Sequence, residues 1–408
     1  MPVRSLTFLA VLVVVLAAPL AAGGSPEPLL GVVAGQQSSK VVRLDPATLR
    51  VVGAGIDVGS GGCASRMGGT ACWGVPPWSW SPDRTRLVFA RNSHDGYSVE
   101  SLRVVDVGAM RAAGDVRPSG QSVGAVAWLT AGRLLALQEV CCAGRQRLLV
   151  VDMPAQRIVD RRMLDGSVLR LERAGTRLVM LVANGLGPAR VEIADAQGRI
   201  RTVPLGRVVA GTKRLSGSGL RFDSRMPGLA VDSSGRRAFV VDRQGVAVVD
   251  LRRLTVAYHA LARMPAKEAR GYARSASWLG NGMLAVTGSD ATGVEGEERP
   301  AGLVLVDTRT WRARAVDPDA NELTVAGSVL LTTGRTGLSG YGLDGKRRFE
   351  LFGRELVWLA GVVGGRAYVG FQGDAPLSVV DLADGTVVGK RPQPLPSPVT
   401  ATAGGWWN

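Results

Sequence analysis

Two short stretches of this chain are crowded with cations: Lys213, Arg214, Arg221 and Arg225, and then Lys267, Arg270 and Arg274 with Tyr272 among them. Arginine offers a planar fork that binds carboxylate or phosphate through two parallel hydrogen bonds, and a neighbouring aromatic ring adds a flat platform. The chemistry implied is recognition of an anionic polymer or an acidic protein loop. An acidic stretch with Asp290, Glu295, Glu297 and Glu298 follows and could instead neutralise these cations internally.

The four cysteines, Cys63, Cys72, Cys141 and Cys142, suit disulfides. Adjacent cysteines rarely bond to each other, because the small ring strains the peptide between them. That leaves a local Cys63 to Cys72 bridge, or both crossing to Cys141 and Cys142. A zinc site is disfavoured, since no CxxC spacing occurs and His94 and His259 are the only histidines.

Catalytic motifs fare poorly. GQSVG at 120–124 matches the nucleophile elbow, but that motif works only on a strand-to-helix turn, and here it runs into a strand. DPDANE at 317–322 begins like a calcium loop but lacks glycine at its sixth position and has Ser328 at its twelfth. Phosphate loops and dinucleotide fingerprints are absent, so no catalytic residue, metal ligand or cofactor is expected. Aspartates at Asp106, Asp152, Asp250, Asp307 and Asp381 recur, but each ends a strand, in VVD or, at Asp307, LVD, where Asp bonds the backbone of the following turn.

These residues must be positioned by short strands. Ser79 to Asp115 reads as strand, tight turn SPDRTR, strand, polar loop, strand, turn, strand, and similar units recur from Leu29 to Arg391 at roughly 48 residues. That is close to the 40 to 50 or so of a four-stranded propeller blade. No helical periodicity interrupts them. The expectation is an all-β fold: a single β-propeller of eight four-stranded blades, with seven as the alternative. The first unit lacks its first strand, so Val399 to Trp407 is expected to supply it, closing the ring with strands from both ends and removing exposed edges.

Arg4, the apolar run Leu6 to Leu20 and the small residues that follow have the layout of a secretory signal peptide. The expected division is a signal over 1–23 and the propeller over 24–408, exported to the cell envelope or beyond, monomeric, with no membrane span after signal removal. The formal charge of +15 suggests anionic partners. Only Lys40, Lys213, Lys267, Lys346 and Lys390 are lysines, however; the rest of the 49 basic residues are arginines spread along the chain, and no basic helix or ribonucleoprotein strand occurs, so specific nucleic-acid binding is not expected.

WSPDRTRLVFAR at 80–91 resembles the WSPDG repeat of periplasmic TolB-type propellers, with Arg84 where that family usually has glycine. The fifth unit, GLAVDSSGRRAFVVDRQGVAVVDLRRL, is similar to the YVTN-type repeat. The resemblance implies a WD40-like propeller used as a docking scaffold or ligand binder, and in some members as a lactone-cleaving enzyme. Turns between first and second strands, and between third and fourth, are short. Long loops fall only at the other two joints, which emerge on one face, and that face carries all four cysteines, Trp73, Trp78, His94, Asp95 and Tyr97, and both basic stretches. The function expected is noncatalytic binding of a protein partner or an anionic cell-envelope polymer there. The alternative is a lactonase or sugar-processing hydrolase with a carboxylate-held metal at the channel mouth.

Overall fold

The computed structural model describes residues 29–33, 39–45, 50–59, 63–66, 69–72, 77–93, 98–140, 145–214, 222–261, 271–291, 298–334, 337–353, 355–363, 365–371, 377–391 and 397–398. The expected signal segment and Val399 to Trp407 lie outside them. The described residues are strands, turns and loops, and no helix among them is long and apolar enough to cross a membrane.

The strands follow in chain order as antiparallel meanders. β1 (Leu29–Val33), β2 (Ser39–Leu44) and β3 (Val51–Gly59) form the first, and a small hairpin of β4 (Cys63–Arg66) and β5 (Gly69–Cys72) precedes the second. That second meander is β6 (Trp78–Trp80), β7 (Arg86–Asn92), β8 (Val99–Asp106) and β9 (Arg111–Val116), and the third is β10 (Val123–Thr130), β11 (Arg133–Val140), β12 (Arg145–Asp152) and β13 (Arg157–Met163). The fourth comprises β14 (Ser167–Ala174), β15 (Arg177–Ala183), β16 (Gly187–Ala194) and the long β17 (Ile200–Arg214), which is followed by the short β18 (Phe222–Met226). Next come β19 (Gly228–Val231), β20 (Arg237–Val241), β21 (Gly245–Asp250) and β22 (Thr255–Ala260), then β23 (Gly271–Gly280), β24 (Met283–Ala291), the short β25 (Glu298–Pro300), β26 (Leu303–Asp307) and β27 (Arg312–Asp317). The last two meanders are β28 (Ala320–Ala326), β29 (Val329–Gly334), β30 (Gly337–Gly342), β31 (Arg347–Leu351) and β32 (Val357–Val363), β33 (Arg366–Phe371), β34 (Leu377–Asp381), β35 (Val387–Arg391). β36 (Ser397–Pro398) pairs with β1 through Gly31↔Pro398 and Val32↔Ser397, so the C-terminal segment does supply an inner strand to the first meander. It does so with residues just before the segment expected from the sequence.

The result is an all-β propeller, but not of eight, or seven, separate blades. Among the described residues six four-stranded sheets stand as separate blades; the stretches expected to give the fourth and sixth lie in one ten-stranded sheet, joined by β18. The physical reason is that β17 does not stop at the blade edge, as an outer strand normally would, and β18 carries its hydrogen bonding on to β23.

Burial explains the strand sequences. The second and third strands of a blade are covered on both sides by neighbouring blades, so they carry continuous apolar runs such as Leu87–Ala90 in β7, whereas the outer strand β13 alternates exposed and half-buried residues. Each core cluster joins adjacent blades, as where Val88, Ala90 and Leu102 pack on Val126, Trp128 and Leu134. Across that seam the Trp128 amide donates to Ser79 Oγ at 2.9 Å.

The recurring aspartates hold turns, as their positions imply. Asp106, Asp152, Asp250, Asp307 and Asp381 accept backbone N–H bonds from Ala109, Ala155, Arg252 with Arg253, Arg309 and Ala383, at 2.7 to 3.0 Å. The GQSVG serine, Ser122, is buried at the entry to β10, and in DPDANE the Asp317 carboxylate accepts from the Asp319 amide and Thr332 Oγ1, binding one meander to the next.

Candidate functional site

The feature that departs most from a repeating blade is the ribbon made by the end of β17 and β18. Ile200–Pro204 pairs with β16 as an ordinary outer strand; after a register shift, Val209 and Ala210 lie opposite Pro188 and Gly187, and Gly211–Arg214 then pairs with Phe222–Arg225. Gly211 makes the departure possible: its φ is +101°, and a Cβ there would stand 1.7 Å from the Gly185 carbonyl oxygen. β18 finally lies parallel to β23, with Arg225 opposite Tyr272 and Met226 opposite Ala273, and the approach is so close that a Cβ on Gly271 would meet the Ser224 carbonyl oxygen at 2.6 Å. The ribbon is thus pinned to the first strand of another meander.

Beneath it lies a buried polar network. Arg274, fully buried on β23, donates from Nη2 to Asp290 at 2.7 Å and from Nη1 to the Ala273 and Ser289 carbonyls, and its guanidinium lies 5.3 Å from the centre of the Tyr272 ring. Tyr272 donates its hydroxyl to the Val209 carbonyl on the ribbon at 3.4 Å. In the turn between β20 and β21, Asp242 accepts from the Gln244 and Gly245 amides, each at 2.7 Å, and from the Tyr258 hydroxyl at 3.0 Å. Burial nevertheless holds the Asp242 carboxyl above the ordinary range, opposed by those bonds and by the charge of Arg274. Burial and then the nearby Asp242 carboxylate push both tyrosine hydroxyls well up. This network anchors the ribbon through the Tyr272 hydroxyl, with Arg274 paired to Asp290.

The residues expected to form a cationic patch separate into three groups. Tyr272 and Arg274 are buried, and Asp290, from the stretch expected to be able to neutralise them, pairs with the arginine. Arg225 is half-buried and bonds to Asp223 at 3.1 Å, while Lys213 is exposed. The backbone of Arg214 belongs to the ribbon, and Arg221, Lys267 and Arg270 lie outside the described residues, as do Cys141, Cys142, Trp73, His94, Asp95 and Tyr97. Sequence reading does not single out Arg207, which is exposed and sits 5.7 Å over the Tyr258 ring; its only signal was its place in the polar insertion.

A second acidic group stands apart, on the inner strand β14. Arg170 reaches the Leu169 and Arg274 carbonyls, and Arg173 the Gly175 and Leu129 carbonyls, so neither arginine serves the carboxyl between them. Among the described residues nothing hydrogen-bonds or ion-pairs with Glu172, and burial raises it to about 7. A charged triplet in an otherwise apolar inner strand was visible in the sequence as LRLERA. Among the described residues, no three His, Cys, Asp or Glu side chains gather as a metal-binding set, which a metal-dependent hydrolase reading would need at the channel mouth. A concavity of about 260 Å³ beside β8 and β9 has its charges cross-paired, Arg91 with Glu100 at 2.8 Å and Arg103 with Asp115 at 3.0 Å.

No family model matches the chain, and no curated protein does either. Among solved structures it is similar to dihydro-heme d1 dehydrogenase NirN in complex with DHE, at 14% identity and a TM-score of 0.59 over 94% of this chain and 77% of that one. It is also similar to AztD of Citrobacter koseri, at 12% identity and a TM-score of 0.52 over 91% and 97% of the two chains. At such identities the likeness is one of fold. The chain is a β-propeller.

Proposed function

We propose that this is an exported binding propeller whose long-loop face takes an anionic cell-envelope polymer, with the ribbon of β17 and β18 as the contact element. The supporting observation is the division of charge at the ribbon. Arg274 and Arg225 are consumed by Asp290 and Asp223, whereas Arg207 and Lys213 stand exposed beside them. Cations held on an anchored ribbon lose little freedom when they bind, which favours a polymer carrying repeated carboxylates or phosphates. Arg214, Arg221, Lys267 and Arg270 extend the same basic surface in this reading. The TolB-like and YVTN-like repeats, and the export signal, belong to the same proposal.

The test is attachment of the purified chain to immobilised polyglutamate and polyphosphate across a salt series. Reversing Arg207 and Lys213 to Glu should weaken attachment at low salt by tenfold or more, with the difference fading as the screening length falls to about 3 Å near 1 M salt. Equal reversals at Arg236 and Arg252, on the short-turn face, should leave it unchanged. If both pairs weaken attachment alike, attachment reflects only net charge and the ribbon has no special role.

A further inference from the structure

The hairpin of β4 and β5 carries one cysteine at each open end. Its register runs Arg66↔Gly69, Ser65↔Thr70, Ala64↔Ala71 and Cys63↔Cys72, closed across two residues. In an antiparallel hairpin closed this way the pair next to the turn exchanges both hydrogen bonds, and bonded and non-bonded pairs then alternate. Counting outward, Arg66↔Gly69 and Ala64↔Ala71 are bonded pairs, while Ser65↔Thr70 and Cys63↔Cys72 are non-bonded ones. Non-bonded partners have Cα atoms roughly 4.5 Å apart, the closer of the two spacings, and disulfides span Cα separations of about 4.4 to 6.8 Å. A shift by one residue would set each cysteine against an alanine or a residue beyond the hairpin, so the pairing is a property of this register.

From this placement we infer that Cys63 and Cys72 are a disulfide site, and that the bridge closes the hairpin upon itself rather than reaching the Cys141 and Cys142 segment. One thiolate attacks a small-molecule disulfide such as oxidised glutathione, forming a mixed disulfide and releasing one thiol. The second thiolate then displaces the other glutathione, so two protein thiols become one S–S bond and one disulfide becomes two thiols. The bridge locks a ten-residue loop on the long-loop face, between the first and second blades. The inference is independent of the anionic-ligand reading.

The sequence supplies its own test, because Arg66 lies between the two cysteines and is a trypsin site. The full chain is equilibrated in oxidised and reduced glutathione, its remaining thiols are blocked, and it is digested with trypsin without reduction. The local bridge joins peptide 51–66 to peptide 67–84, a species that disappears on reduction. Linkage of either peptide to 134–145, which carries Cys141 and Cys142, overturns the inference, as does recovery of both peptides with blocked thiols under oxidising conditions. As a second reading, Cys63→Ser should expose one new reactive thiol at Cys72 and leave the labelling of Cys141 and Cys142 unchanged. A new thiol at position 141 or 142 instead would show that the bridge crosses.

Discussion

Replacing Glu172 by Gln should stabilise the protein, and should do so only when the pH is high. The carboxyl is reached from solvent yet enclosed by protein on nearly all sides, and burial alone lifts it from 4.5 to about 7. In the unfolded chain it ionises normally. Below about pH 4.5 both states hold the proton and the residue is neutral in its effect. Between the two values the folded state binds more protons than the unfolded, so stability falls as pH rises; above about 7 the loss is complete. A shift of this size, at about 1.4 kcal/mol per pH unit, is worth about 3 kcal/mol. Glutamine has the shape of the neutral acid and cannot ionise, so it removes the loss. With an unfolding entropy of roughly 2 cal/mol/K per residue, a ring of this length should gain about 4 °C in Tm at pH 8 and almost nothing at pH 4.5. Thermal melts of both proteins across that range measure it. A gain of equal size at both pH values would mean that packing rather than ionisation separates the two side chains. No gain at pH 8 would mean that Glu172 is solvated in the folded state, and the burial argument would fail.

Two further outcomes follow from buried or strained groups. Asp290→Ala leaves the Arg274 guanidinium unpaired in a site with no exposure and should cost about 3 to 5 kcal/mol in urea unfolding, whereas Arg274→Met with Asp290→Leu should cost clearly less; equal losses would deny that the uncompensated charge is the cause. Arg84 holds a φ of +57° in the SPDRTR turn, so Arg84→Gly should stabilise by about 0.5 to 1 kcal/mol, and a loss of stability would show that the arginine side chain contributes more than its backbone strain removes.

The blade unit was legible because its determinants are local. Turn residues such as Asp83, which accepts from Ser81 Oγ at 2.6 Å and the Thr85 amide at 3.2 Å, act within five residues of themselves, and the apolar runs between them have no competing period. The position of Arg84, where the resembling repeat has glycine, is the left-handed position of that turn, and Gly235 takes it in the fifth unit at φ +63°. The fusion of two meanders was not legible. The stretch from Gly206 to Met226 reads as a polar insertion, and its pairing to Tyr272 and Ala273 is parallel and distant in sequence, permitted by two glycines whose role only the close approach reveals. The burial of Arg274 was half-legible: β23 and β24 form a hairpin turning near Asn281, and folding the sequence back at that point sets Tyr272 opposite Asp290, one step diagonal from Arg274. Composition alone treats such an arginine as surface charge.

Where one unit breaks the pattern of the others, the break locates chemistry better than any motif. The last residues of the inner strands show it. Trp80 lies opposite Leu87, Trp128 opposite Leu134 and Trp278 opposite Leu284, each one step before the tight turn, and each packs toward the preceding blade. In the fourth unit the same position, opposite Leu178, is held by Arg173, which spends its donors on the carbonyls of Gly175 and Leu129, so a hydrogen-bonding cation does the bridging that an indole ring does in those three units, while Val231, Val325 and Val362 hold the position in the remaining ones. Next to it Glu172 takes the place held by Ser79, Ala127, Ala230, Ser277 and Thr324 in other units, and the same unit's outer strand is the one that leaves its blade to form the ribbon. Two departures thus fall in one unit: charged residues on its first strand, where the corresponding positions elsewhere hold tryptophan, valine or small uncharged residues, and an outer strand that runs on to pair with β18.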